Sequence, residues 1–98
     1  MPIHKVWVTV NKVVKGKCPQ GHVPGQTWLM EEKKTPGGMC TSAYCAIYPL
    51  IFMFRFGGVP NWLEDKEDKD VQYLCCPDPE RLVVFEIRRL SCEEGSSV

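Results

Sequence analysis

The sequence carries no surplus of charge of either sign: twelve lysines and arginines stand against twelve aspartates and glutamates, for a formal net charge of zero. A phosphate backbone or an anionic membrane surface draws its partners through excess positive charge, so neither nucleic acid nor a membrane is expected as a partner. Long hydrophobic runs are missing as well. The most apolar window, residues 43–54, falls well short of the ~20 residues a membrane span requires and contains Pro49. It is expected to be buried in protein. The chain opens Met1-Pro2-Ile3-His4-Lys5-Val6-Trp7, without the apolar stretch and small-residue cleavage site of a secretory signal, which makes the cytoplasm the expected location. No internal repeat, glycine-rich phosphate loop or Ser-His-Asp arrangement can be placed. No two cysteines have the Cys-x-x-Cys spacing of zinc ribbons or of ferredoxin-type clusters.

What the sequence does have is cysteine, six in 98 residues. An exported chain would turn that even count into three disulfides, whereas the cytosol keeps thiols reduced. The expectation is therefore free thiols or metal ligands rather than a disulfide scaffold. An apolar share of 44% and a charged share of 24% are those of an ordinary globular domain. The length suffices for one core and not for two, so residues 1–98 are expected to form a single domain with a frayed polar tail at 93–98.

Residues 3–14 alternate, with Val6, Val8, Val10 and Val14 at even positions and Lys5, Thr9 and Asn11 between them, the period of a half-buried strand. Residues 15–26 are punctuated by Gly16, Pro19, Gly21, Pro24 and Gly25. Within this loop Val23-Pro24-Gly25-Gln26 has the form of a type II turn. Thr27-Trp28-Leu29-Met30 is a short second strand, ended by the charges at 31–34 and the breaker Pro36-Gly37-Gly38. A helix capped by Thr41 or Ser42 should run to Phe56 and stop at Gly57-Gly58, with a kink or a break at Pro49.

Nearly every face of this helix is apolar. Tyr44, Ile47, Ile51 and Phe54 line one side and Tyr48, Phe52 and Phe56 another, so a second surface should cover it. A homo-oligomer through this helix is the expected arrangement. The charge run 64–70 is expected to be a solvated loop, and residues 71–76 and 82–90 to be two further strands joined by Pro77-Asp78-Pro79-Glu80-Arg81, with Val83, Phe85 and Ile87 facing the core. The fold class is α+β, a small antiparallel sheet in the order β-β-α-β-β with one main helix across it. Trp7, Trp28 and Trp62 are expected to pack, since no basic stripe accompanies them.

The chemistry-bearing residues fall into three groups. Cys18 and His22 share a glycine-rich loop that lets a thiol and an imidazole turn towards one point, and both side chains are ligands for zinc and related metals. Cys40 and Cys45 flank the helix start, where unpaired amides and the positive end of the helix dipole suit a thiolate. Cys75 and Cys76 are neighbours, so in a strand they point to opposite faces and only one can join a core-facing site; Cys76, beside the turn, has the greater freedom, and Cys75 is expected to pack. Cys92 lies near the tail, and His4 is expected to be a solvated or satisfied histidine. Three readings stay open. In one, Cys18, His22, Cys40, Cys45 and Cys76 supply the ligands of a zinc or other thiophilic metal site in a small binding or structural module. In another, Cys40 or Cys18 is the reactive thiol of a redox protein or enzyme. In the third, the cysteines are small buried hydrophobes and the chain is an oligomeric interaction module without a site.

Taken together, Gly16-Lys17-Cys18-Pro19 with Gly21-His22, Thr35-Pro36-Gly37-Gly38-Met39-Cys40, Ala46-Ile47-Tyr48-Pro49, Arg55-Phe56-Gly57-Gly58 and Cys76-Pro77-Asp78-Pro79 resemble a family of small prokaryotic proteins of unknown function. The resemblance runs from the first strand to Arg88-Arg89. It implies one domain and a cysteine-centred site without naming an activity. In that family a histidine often stands where this sequence has Cys45, an exchange between two metal-competent side chains.

Overall fold

A computed structural model describes residues 3–31, 37–63, 68–78 and 80–90. Its elements follow the expected order: β1 (Val6–Val13), β2 (Thr27–Met30), α1 (Thr41–Arg55), a single 3-10 turn at Asn61–Leu63, β3 (Val71–Cys75) and β4 (Val83–Arg89). The four strands form one antiparallel sheet in the spatial order β2-β1-β4-β3. The longest strands are thus central and the shortest at the edges, as suits a sheet whose edges must not pair with other chains. No helix among the described residues is long and apolar enough to cross a membrane.

Alternation decides which face is buried. Val6, Val8 and Val10 of β1, Trp28 and Met30 of β2, and Val83, Phe85 and Ile87 of β4 point to one side, where Ala43, Ile47, Leu50, Ile51 and Phe54 of α1 meet them. Each large side chain buried in this layer contributes about 1.5–3 kcal/mol relative to exposure. The expected alternation fails at one place. Val10 stands opposite Phe85 but Lys12 opposite Val84 and Val13 opposite Val83, so Asn11 is an extra residue in β1, a bulge that flips the phase. Val13, not Val14, therefore packs against the core.

α1 begins at Thr41 with Cys40 as its N-cap, one residue before the expected cap, and no side-chain hydroxyl closes it. It continues through Pro49 as one helix rather than two. Pro49 and Cys45, four residues earlier, are both exposed, so the carbonyl that Pro49 deprives of a donor lies on the watered side. The stop is the expected one. Gly57 takes φ 83°, its amide donates to Phe54 and that of Gly58 to Met53, which is a Schellman motif. A side chain at Gly58 would run into Met53.

Arg55 and Arg89 fix this end of the helix. Arg55, 5% exposed, donates from Nη2 to the Glu31 carbonyl at 2.8 Å. Arg89 donates from Nη1 to the Gly58 carbonyl at 2.7 Å and from Nε to Asp70 Oδ1 at 2.9 Å, and its guanidinium lies 4.9 Å from the Phe54 ring centre. Residues 91–98, which hold Cys92 and the tail expected at 93–98, residues 64–67 of the charge run, the charges at 32–34, and Pro36 and Pro79 of the expected breakers lie outside the described residues. Asp68, Lys69 and Asp70, the rest of the charge run, are exposed as expected.

Candidate functional site

The loop between β1 and β2 is built from two turns. Cys18-Pro19-Gln20-Gly21 is closed by the Gly21 amide donating to the Cys18 carbonyl at 2.9 Å, and Val23-Pro24-Gly25-Gln26 by Gln26 donating to Val23 at 3.2 Å. Gly25 has φ 91°, the left-handed value that a type II turn requires at its third position. The second turn is pinned to β1 in both directions, Gly25 donating to the Val10 carbonyl and Val10 to the Gln26 carbonyl. His22 sits between the turns and is driven inward, 3% exposed. Trp28 and Phe85 meet its ring edge-on at centroid distances of 5.3 and 6.2 Å.

Both ring nitrogens of His22 are engaged. Nε2 lies 3.0 Å from the Cys40 amide nitrogen and Nδ1 2.9 Å from Gln26 Oε1. A backbone amide can only donate, so Nε2 is the bare nitrogen, Nδ1 carries the proton and Gln26 Oε1 accepts it. His22 thereby ties the Cys18 loop to the N-cap of α1, with no ring nitrogen left over.

The third contribution comes from the β3–β4 connection. Beyond the last residue of β3, the Cys76 amide donates to the Val83 carbonyl at 3.0 Å, and the Val83 amide approaches Cys76 Sγ at 3.2 Å. An amide aimed at sulfur is the kind of outer contact that ligating thiolates receive. The turn that follows is held by Asp78, whose Oδ1 accepts the amides of Glu80 at 2.9 Å and Arg81 at 3.2 Å. Those two amides hold the Asp78 carboxyl below the usual aspartate range.

These three segments meet at a pocket of about 310 Å³, lined among others by Cys18, His22, Cys40, Cys76, Asp78 and Arg81. Ser42 and Ala43, in the first turn of α1, form another part of its wall. A second hollow of about 400 Å³ shares Cys18 and His22 but gathers no further thiol. Four of the five side chains singled out from the sequence thus line one pocket. The fifth, Cys45, is exposed on α1 and is not among its lining residues. Cys75, expected to pack, is exposed instead; it pairs with Val84 across the strands. The five described cysteines are all free. As the side chains lie, no group of three or more His, Cys, Asp or Glu residues among the described residues is placed to hold a metal ion.

His4 is satisfied, its Nδ1 lying 2.8 Å from the Leu90 carbonyl oxygen. Of the tryptophans only Trp28 is buried, its indole donating to the Gly37 carbonyl at 3.0 Å. Trp7 and Trp62 are exposed, against expectation. The outer face of α1 carries a ladder of rings, Tyr44, Tyr48, Phe52 and Phe56, with successive centroids 5.1, 6.2 and 4.9 Å apart. Burial, and after it the neighbouring Tyr48, pushes the Tyr44 hydroxyl above its ordinary pKa. Phe52 remains 49% exposed.

Two features went unforeseen in the sequence. His22 links two segments instead of standing free as a donor, for which its setting between two turn motifs was the only signal. Arg55 and Arg89 are structural cations, and an arginine inside the apolar run Phe52-Met53-Phe54-Arg55-Phe56 is a signal of that kind, because a buried charge must find partners. Comparison of the chain with protein-family models, with curated proteins and with solved structures finds no match.

Proposed function

We propose that this protein is a small metal-binding module of a reducing compartment, taking zinc or another thiophilic ion on the sulfurs of Cys18, Cys40 and Cys76. The observation that supports this reading is the convergence of three cysteines, far apart in sequence, on a single pocket. Soft thiolates are the natural donors for such ions, and the Val83 amide at Cys76 Sγ supplies one contact from outside the donor set. Binding requires the thiols to turn inward from where they stand, and metal binding that closes a site contributes to folding stability. Cys18→Ser, Cys40→Ser and Cys76→Ser should each lose bound metal, and each should lose the rise in melting temperature that zinc gives the parent chain. Full metal content in all three variants, measured by mass spectrometry, would refute the reading.

A second reading concerns the partner, and the ring ladder on α1 favours it. The half-exposed Phe52 with Tyr48 and Phe56 beside it forms an apolar face of the sort that self-associating chains cover. Self-association through α1 predicts that Phe52→Asp lowers the mass found by light scattering while leaving the thermal midpoint nearly unchanged. A parent chain that stays monomeric at high concentration removes this reading.

A further inference from the structure

The sheet ends at β3 on one side, and among the described residues β3 pairs with β4 alone. The ladder shows which of its backbone groups that pairing uses. The Arg89 amide donates to the Asp70 carbonyl and the Cys76 amide to the Val83 carbonyl, while the register between them sets Val71 opposite Arg88 and Cys75 opposite Val84. Alternate residues of an antiparallel strand bond to a given neighbour, so Asp70, Gln72, Leu74 and Cys76 turn their backbone groups to β4. Those of Val71, Tyr73 and Cys75 face the open side. The outward carbonyl of Tyr73 is met only by a side chain, Gln72 donating from Nε2 at 2.9 Å.

Shortness is one safeguard of a sheet edge; charge and proline are others. Val71-Gln72-Tyr73-Leu74-Cys75 has neither a charged residue nor a proline. The charges nearby are already paired within the chain, Asp70 with Arg89, and Arg88 with Asp68 and Glu86. Rings flank the strand on both sides. Tyr73, 49% exposed, stands on the face opposite Leu74, which packs against the core, and Trp62, 58% exposed, reaches the core side of β3 through its indole, which donates to Gln72 Oε1 at 2.8 Å. At the other edge β2 has four residues, and Arg55 takes the Glu31 carbonyl at its end.

The partner that fits such an edge is an uncharged extended strand, and a second copy of this chain brings one. With a formal net charge of zero, two copies meet without the repulsion that keeps charged chains apart. An antiparallel pair of β3 strands centred on Tyr73 sets Tyr73 opposite Tyr73 and Val71 opposite Cys75 of the other copy, so the outward amides and carbonyls of all three residues find partners. The two tyrosine rings then meet across the strands, a stabilising cross-strand pair. The contact is its own complement about a twofold axis, as the commonest homodimers are.

We infer that β3 is a dimer edge, pairing antiparallel with β3 of a second copy about Tyr73 and joining the two sheets into one. This inference does not rest on the metal-binding reading, and it uses a different surface from the ring ladder on α1. The test is the mass of the full chain by light scattering. The parent chain should have twice the mass of one chain, and Tyr73→Lys, which sets two like charges face to face at the centre of the pairing, should have the mass of one chain with the circular dichroism of the parent. The register has its own check. Val71→Cys places a thiol opposite Cys75 of the other copy, so oxidation by glutathione disulfide should give a covalent dimer that the parent chain does not form and that Cys75→Ser abolishes. A monomeric parent overturns the inference and leaves the edge to a strand of another protein. A Tyr73→Lys variant that keeps the mass of the parent also overturns it, and if Phe52→Asp then lowers the mass, self-association through α1 stands alone. A covalent dimer that survives the loss of Cys75 overturns the pairing as well.

Discussion

The two ends of α1 are built on opposite plans. At the C-terminal end the strong groups are bonded, save the buried Nε of Arg55: the Schellman turn closes on Phe54 and Met53, Arg55 Nη2 holds the Glu31 carbonyl, and Arg89 joins Gly58 and Asp70. At the N-terminal end the helix starts on a cysteine without a side-chain cap, beside loops rich in glycine and proline, and among the described residues the tie to its N-cap amide is His22. One end is a clamp and the other is a pocket with three thiols on its wall. The difference teaches that the groups fixing the helix and the thiols stand at opposite ends of it. Cations at the C-terminal end serve packing and complement the helix dipole, while three thiols collect at the N-terminal end, on the wall of one pocket.

Breaking the tie at the pocket should have the largest effect. His22→Ala removes the acceptor of the Cys40 amide and leaves a void between Trp28 and Phe85, a loss of about 2–4 kcal/mol by denaturant unfolding. It should also speed labelling of Cys40 by iodoacetamide, because the helix start is released. Unchanged labelling with lost stability would mean that the histidine only fills space. Arg89→Ala should cost about 1–3 kcal/mol, mostly through the Gly58 carbonyl and the Phe54 ring, since Asp70 is 55% exposed and an exposed partner adds little. Its thiol labelling should match that of the parent chain. If labelling rose equally in both variants, the two ends would not be independent.

The smallest effect concerns acid. Asp78 has its carboxyl held below the ordinary value by the amides of Glu80 and Arg81. A depressed folded-state value contributes stability that is complete above the ordinary aspartate value of about 3.9 and is lost as pH falls through the lower folded value. The 77–81 turn should therefore loosen only below about pH 4, and Asp78→Asn should abolish that acid-side slope. A slope that persists in the variant would have to come from another carboxylate.

Much of this was legible in the sequence, and the failures have identifiable causes. The alternation of Val6, Val8 and Val10, the four residues of β2, and the glycines that stop α1 are local signals, and the structure follows them. The bulge at Asn11 left no mark in composition, because it is set by pairing with β4. The convergence of Cys18, Cys40 and Cys76 was foreshadowed because each lies next to a turn or a helix start, where chain ends meet over the edge of a core. Cys45 went astray because the angular position of a residue on an apolar helix cannot be read when all faces are apolar. The roles of His22 and Arg55 depend on partners 18 and 24 residues away, beyond the reach of any periodicity.

The most direct test of the central claim is the metal content of the native chain, purified without oxygen or chelator, with reactive thiols counted on the same sample before and after chelation. Near-stoichiometric metal, with three thiols that become reactive only when chelator is added, is the result expected for a site made of Cys18, Cys40 and Cys76. A metal-free protein whose pocket thiols react at the same rate with and without chelator, even after zinc is supplied, would contradict it.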